Sequence, residues 1–139
     1  MIDLFRILKL DYKEYVILFK SGSFYISFDE DSIILNKLFN YKIINLKNNI
    51  KIGFPLGNID IVLNKLENLK MNYIIIDNKN IINKYENENN VFSNYTSSVY
   101  EVININNRIE KIVDKLKSID SDSINGVLNQ IEIIVDKIY

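Results

Sequence analysis

The sequence predicts an α/β fold, a mixed β-sheet with packed helices, followed by a C-terminal α-helical hairpin. Three observations carry that prediction. Short β-rich apolar runs alternate with amphipathic helical patterns between Glu14 and Asp77. One run, "NYIIID" at 72–77, is continuously apolar, as a strand buried on both faces requires. From Asn104 onward the apolar residues adopt the i, i+3, i+4, i+7 spacing of helices and keep it.

The elements follow in order. "EYVILFK" (14–20) and "SFYISF" (23–28) are strands of a hairpin. Ser21-Gly22 is its turn, because Gly supplies the positive φ that a two-residue turn needs. "DEDSIILNKLFN" is a helix. Asp29, Glu30 and Asp31 complement its positive dipole end, ahead of apolar Ile33, Ile34 and Leu38. "YKIINL" and "IKIGFP" are two more strands about the turn Lys47-Asn48-Asn49, and the single proline, Pro55, stops the second. "NIDIVLNKLENLK" is a helix with Ile59, Val62, Leu63, Leu66 and Leu69 on one face and Asn58 as its N-cap. After the strand at 72–77, a short edge strand at 79–84 leads into a polar loop.

In the tail, Ile109, Ile112, Val113, Leu116 and Ile119 form one helical stripe. Ile124, Val127, Leu128, Ile131, Ile134, Val135 and Ile138 form a second, and "DSDS" (120–123) is the break and N-cap between them. For "SNYTSSVYEVI" (93–103) two readings stay open, an upstream extension of the first tail helix and a strand. The spacing of Tyr95, Val99, Val102 and Ile103 leans towards the helix. The organisation expected is an α/β domain over 1–85, a connecting segment over 86–103 and the helical hairpin over 104–139.

Composition narrows the function. A chain of 139 residues, 47% hydrophobic and 25% charged with net charge −1, is a soluble globular composition. No apolar run has the length of a membrane span and no signal peptide opens the chain, so cytoplasmic residence is expected. The absence of Cys removes disulfides and thiolate metal sites, and the absence of His removes the commonest general base and metal ligand. None of the four glycines stands in a G-x-x-x-x-G-K pattern, so no nucleotide is expected to bind. No cofactor, no metal and no enzymatic activity are expected. Abundant Ile, Asn, Lys and Tyr with no Ala point to AT-rich codon usage rather than to a prion-like role for "NKYENENN". Residues 1–76 carry ten Lys/Arg against eight Asp/Glu, and 77–139 carry seven against ten. Neither balance is a strong basic stripe, so any hold on nucleic acid is weak.

One stretch asks a functional question. "KSGSFYISF" (20–28) sets Phe24 beside Tyr25 at a turn, and adjacent strand residues point to opposite faces. One ring therefore fills a core, and the other either does likewise or stands out as a wedge for something flat.

With the order of elements in hand, "YVILFKSGSFYISFDEDSIILNKLFNYKI" and "IGFPLGNIDIVLNKLENLKMNYIII" resemble the N-terminal, mismatch-recognising domain of the DNA mismatch-repair protein MutS. The resemblance covers roughly residues 15–77. It places Gly22, Phe24, Tyr25 and Phe28 on the family's Gly-x-Phe-Tyr-Glu-x-Phe signature and implies that Phe24 stacks on a mispaired base. Ile26 stands where the family has the glutamate that hydrogen-bonds that base, and an apolar side chain cannot make the contact. Lys20, Lys42, Lys47 and Lys51 are the phosphate contacts the resemblance suggests, a reduced set. The expectation is a reader domain without the family's ATPase, clamp or lever. Two functions follow. The preferred one is a non-catalytic DNA-binding accessory protein that recognises duplex shape or unstacked bases through Phe24 and Tyr25. The alternative is a protein–protein interaction or self-association module, using 104–139, that has lost mismatch recognition. The retained Gly-x-Phe-Tyr favours the first; the missing glutamate and the acidic tail favour the second.

Overall fold

A computed structural model describes residues 1–138; of 96–100, 102 and 103 only the backbone is described. The chain divides into two compact units, 1–103 and 104–139. The first is a mixed α/β unit and the second a helical pair, as the sequence predicts.

The first unit opens with an element that sequence reasoning left unassigned. Helix α1 (Ile2–Asp11) sets Ile2, Phe5 and Leu8 on one face, with Asp3 in its first turn and Lys9 in its last. Strands β1 (Val16–Ser21) and β2 (Phe24–Phe28) then form the hairpin. Its closing pair is Ser21 with Phe24, so the two-residue loop is Gly22-Ser23 rather than Ser21-Gly22. Gly22 takes φ +59, and a positive φ at the first loop residue matches the hairpin-compatible II′ turn. Helix α2 (Asp29–Phe39), strands β3 (Ile43–Asn45) and β4 (Ile50–Pro55), helix α3 (Ile59–Asn68) and strands β5 (Tyr73–Asp77) and β6 (Asn80–Tyr85) follow.

These six strands make one sheet in the order β3-β4-β2-β1-β5-β6. Only the β1–β5 pair is parallel, and the other neighbours run antiparallel. The central position of β1 and β5 explains their continuous apolar runs, since both faces of each are buried. One face carries the larger core, in which Ile33 and Leu35 of α2 and Val62 and Leu66 of α3 meet Leu18, Ile52, Phe54 and Ile75. The opposite face is packed by α1, whose Phe5 sits against Ile17, Phe19, Phe28, Ile74 and Ile76.

Two local expectations are corrected. Asn58 precedes α3, but its side chain does not cap it. A 3-10 turn over Leu56–Asn58 already holds Asn58 at φ −91, ψ 0, away from the extended geometry a capping residue adopts. Its amide instead donates to the Tyr41 hydroxyl at 3.3 Å. The acidic run 29–31 also does more than face a dipole. Asp31 is fully buried and replaces part of the sheet. Beyond the Phe19–Ile26 pair the hairpin strands part, and the Ile17 backbone would be left without partners. Asp31 Oδ2 accepts from Ile17 N at 2.9 Å, and Ser27 Oγ donates to Ile17 O at 2.8 Å. Lys9 Nζ donates to Asp31 Oδ1 at 2.7 Å and to Tyr15 O at 2.7 Å, and lies 4.7 Å from the Phe92 ring centroid. Burial pushes the Asp31 carboxyl up to about 7, against the pull of Lys9. One largely buried lysine thus ties α1, α2, the residue before β1 and the Phe92 turn together.

The Asn-rich loop after β6 is ordered by the same accounting of backbone groups. Asn87 N donates to Asn72 Oδ1 at 2.8 Å, Asn72 N donates to Asn90 Oδ1 at 3.0 Å, and Asn90 Nδ2 donates to Glu14 O at 2.7 Å.

In the tail, helix α4 (Thr96–Ser118) begins upstream of Asn104, so the helical reading of 93–103 holds from Thr96 on. A 3-10 turn occupies Phe92–Tyr95. Helix α5 (Ser121–Asp136) is capped by Asp120, whose Oδ1 accepts from Ser123 N at 2.9 Å and whose carboxyl that bond holds below its ordinary range. Among the described residues no helix is long and apolar enough to cross a membrane.

Candidate nucleic-acid interface

Alternation along β2 separates the two rings of the opening stretch. Tyr25 is 8% exposed and stacks on Phe54 at 5.6 Å; Phe54 stacks in turn on Tyr41 at 5.2 Å. This ladder lies in the α2–α3 core. The Tyr25 ring is therefore committed to packing. Phe24 points to the other face and is 49% exposed. Its backbone is held on both sides, paired with Ser21 of β1 and Pro55 of β4, and Leu56 N donates to Ser23 O at 3.1 Å just beyond. An exposed ring on an anchored backbone is pre-positioned to stack, with little ordering cost on binding.

The surroundings of Phe24 come from strands distant in sequence. The β2–β4 register sets Ile26 opposite Gly53 and Phe28 opposite Lys51, and the β3–β4 register sets Ile44 opposite Lys51. Phe24, Ile26, Ile44, Lys51 and Gly53 accordingly line one shallow cleft of about 220 Å³. Ile26 and Lys51 also line a neighbouring cleft of about 400 Å³ with Leu46 and Asn49. Gly53 matters as an absent side chain. A Cβ there would meet only Tyr25 O, at 3.8 Å, so the position is open space beside Ile26 rather than a tight backbone approach.

Of the lysines the sequence suggested, only Lys51 lines this cleft. Lys42 and Lys47 are exposed, one just before β3 and the other in the β3–β4 turn. Lys20 pairs with Tyr25, and it lines a separate cleft with Phe19, Ile76 and Lys79. Among the described residues none of the four takes part in an ion pair; those found join Lys9 to Glu30 and Asp31, and Lys84 to Glu86. Sequence reasoning missed Ile44 and Gly53. The strand pattern placed both in strands, but nothing local told which strands are neighbours.

The arrangement is an apolar strip with one flat ring, one aliphatic side chain beside it and one cation at its edge. It can hold a planar group by its face and an anion alongside. Next to Phe24 on that face Ile26 offers neither donor nor acceptor to the edge of a base, and the Lys51 ammonium is the charged group lining the cleft.

The family model for MutS domain I matches residues 1–104. The chain belongs to the MutS domain I family. MutS domain I is a DNA mismatch-recognition domain, which is consistent with DNA binding here, and no catalytic family is indicated. The match extends the resemblance back to residue 1, so α1 belongs to the MutS domain I region as well as the sheet. It stops at 104, and α5 with most of α4 lies outside it. No curated protein matches the chain.

Proposed function

We propose that this protein is a non-catalytic DNA-binding accessory protein that stacks Phe24 on unstacked or easily unstacked bases, with Lys51 reaching the adjacent phosphate. The observation that supports the reading is the exposure of Phe24 on a backbone anchored on both sides, in a family whose domain recognises mismatches. Stacking of one ring contributes ~1–3 kcal/mol per base, and Lys51 with the outlying Lys42 and Lys47 adds a small electrostatic term. Binding is therefore weak and dependent on base access more than on sequence. Ile26 in place of a hydrogen-bonding carboxylate leaves little to separate one unpaired base from another.

Titration of fluorescent matched, mismatched and single-stranded oligonucleotides over a range of salt tests this. The expected result is tighter binding to single-stranded than to matched DNA, with a log–log salt slope of roughly −1 to −3. Gly53→Val sharpens the test, since the new side chain fills the cleft beside Ile26 while a β-branched residue suits a strand. It should weaken binding without lowering stability. Salt-independent affinity, or affinity unchanged by Gly53→Val, would instead favour a protein-interaction role for this face.

A further inference from the structure

The part of the chain outside the family match poses its own physical problem. Between 104 and 138 no described side chain is buried. Nine aliphatic residues there, Ile105, Ile109, Ile112, Val113, Leu128, Ile133, Ile134, Val135 and Ile138, are 38 to 73% exposed. Two helices alone cannot enclose a core, and the apolar residues are not scattered. Ile105, Ile109, Ile112, Leu116 and Ile119 follow one another at alternating steps of four and three. Ile124, Leu128, Ile131, Val135 and Ile138 continue the same rhythm in α5. That period of about 3.5 residues is the one that packs helices side by side in bundles.

We infer that α4 and α5 are a dimerisation element, which pairs with the same two helices of a second copy to complete a four-helix bundle. Charge selects that occupant. Residues 104–118 carry Arg108, Lys111, Lys115 and Lys117 against Glu110 and Asp114, a net +2. Residues 120–138 carry Asp120, Asp122, Glu132 and Asp136 against Lys137, a net −3. The basic helix of one copy therefore finds an acidic helix on the other, and the arrangement in which like helices face each other is disfavoured. Area is of the same order. The six exposed residues of the two stripes, Ile105, Ile109, Ile112, Leu128, Val135 and Ile138, present on the order of 500 Å² per copy, flanked by Val113 and Ile134, against the ~800 Å² that each partner contributes to a stable interface. The inference is independent of the proposed DNA binding, whose candidate residues lie in the other unit.

Sedimentation velocity on the full chain, from about 1 to about 200 µM without DNA, is the test. A dimer is expected. Ile112→Asp combined with Leu128→Asp should give a monomer whose sheet-domain thermal transition is unchanged. Because such changes also burden the helices themselves, a second pair of variants keeps the fold and changes only charge. Lys111→Glu with Lys115→Glu makes both helices acidic and should weaken dimerisation at least about tenfold. Adding Glu132→Lys and Asp136→Lys inverts the pattern and should restore it. A monomer throughout the concentration range would overturn the inference, and so would a dimer indifferent to both charge reversals.

Discussion

Phe24 and Phe28 are the same residue type on the same face of the same strand, four positions apart. Phe28 is 5% exposed, lying 5.6 Å from Phe5 and 6.0 Å from Phe19 beneath α1. Phe24 is 49% exposed in an open cleft. Neither residue identity nor strand parity distinguishes them. The difference is the reach of a ten-residue helix, which packs over β1, β5 and the Phe28 end of β2 on this sheet face and leaves the Phe24 end of β2 exposed. A family signature with two phenylalanines thus divides into a buried ring and an exposed one. The covered half supplies stability, and the proposed function places binding on the open half.

If the covered half carries the fold, its helix should be the most costly element to disturb. Phe5→Ala removes the one buried residue of α1 and should destabilise by ~3–5 kcal/mol in urea unfolding. A loss under about 1 kcal/mol would mean that α1 is peripheral and the division into halves is wrong.

The buried Lys9–Asp31 tie is the next test. The Asp31 carboxyl is raised from 3.8 to about 7, so the folded state holds its proton more tightly than the unfolded state. Stability from this group is fully present below about 4 and falls as pH rises to about 7, by on the order of 1–4 kcal/mol. Asp31→Asn should flatten that decline in chemical-denaturation curves taken across the window. A slope of the opposite sign, with stability lost on acidification, would show that the Lys9 ion pair outweighs burial.

On the open half the expected ordering reverses. Phe24→Ala should change unfolding free energy by less than about 1 kcal/mol while weakening single-stranded DNA binding by ~1–3 kcal/mol. Loss of both together would place Phe24 with Phe28 as a core ring. The smallest effect concerns Ile26. The native protein should prefer mismatched over matched duplex by less than the ~1.4 kcal/mol that corresponds to tenfold. Ile26→Glu returns the family residue to the cleft beside Phe24 and should raise that preference in competition titrations. A native preference beyond tenfold would show that the missing glutamate is not decisive.

Much of this was legible in the chain itself. Strand and helix patterns from 14 to 85 read correctly because burial on a sheet face or a helix stripe writes a period of 2 or 3.6 into the sequence. Asp120 as a cap was readable for the same local reason, because a capping carboxylate acts three residues along the chain. Helix α1 carried such a signal in Ile2, Phe5 and Leu8, and the expected domain over 1–85 included it, yet without the sheet face it covers it was assigned no element. Asn58 read as a cap by residue type and failed because the preceding 3-10 turn had already fixed its backbone.

By itself the sequence determined the order of the elements from β1 onward, the hairpin that carries Phe24, the absence of His- or Cys-based chemistry and the apolar stripes of the tail. These depend on neighbours within a few residues, where covalent connection sets the geometry. Only the tertiary structure decided that Tyr25 turns inward and Phe24 outward, and that Asp31 stands in for a strand. It also decided that Lys51, and neither Lys42 nor Lys47, lines the cleft with Ile44 and Gly53. Each of these depends on which strands are adjacent, β2 beside β4 across an intervening helix and β1 beside β5 across half the domain. Such pairings are fixed by shared burial of distant segments, a property of the assembled core that no local period records.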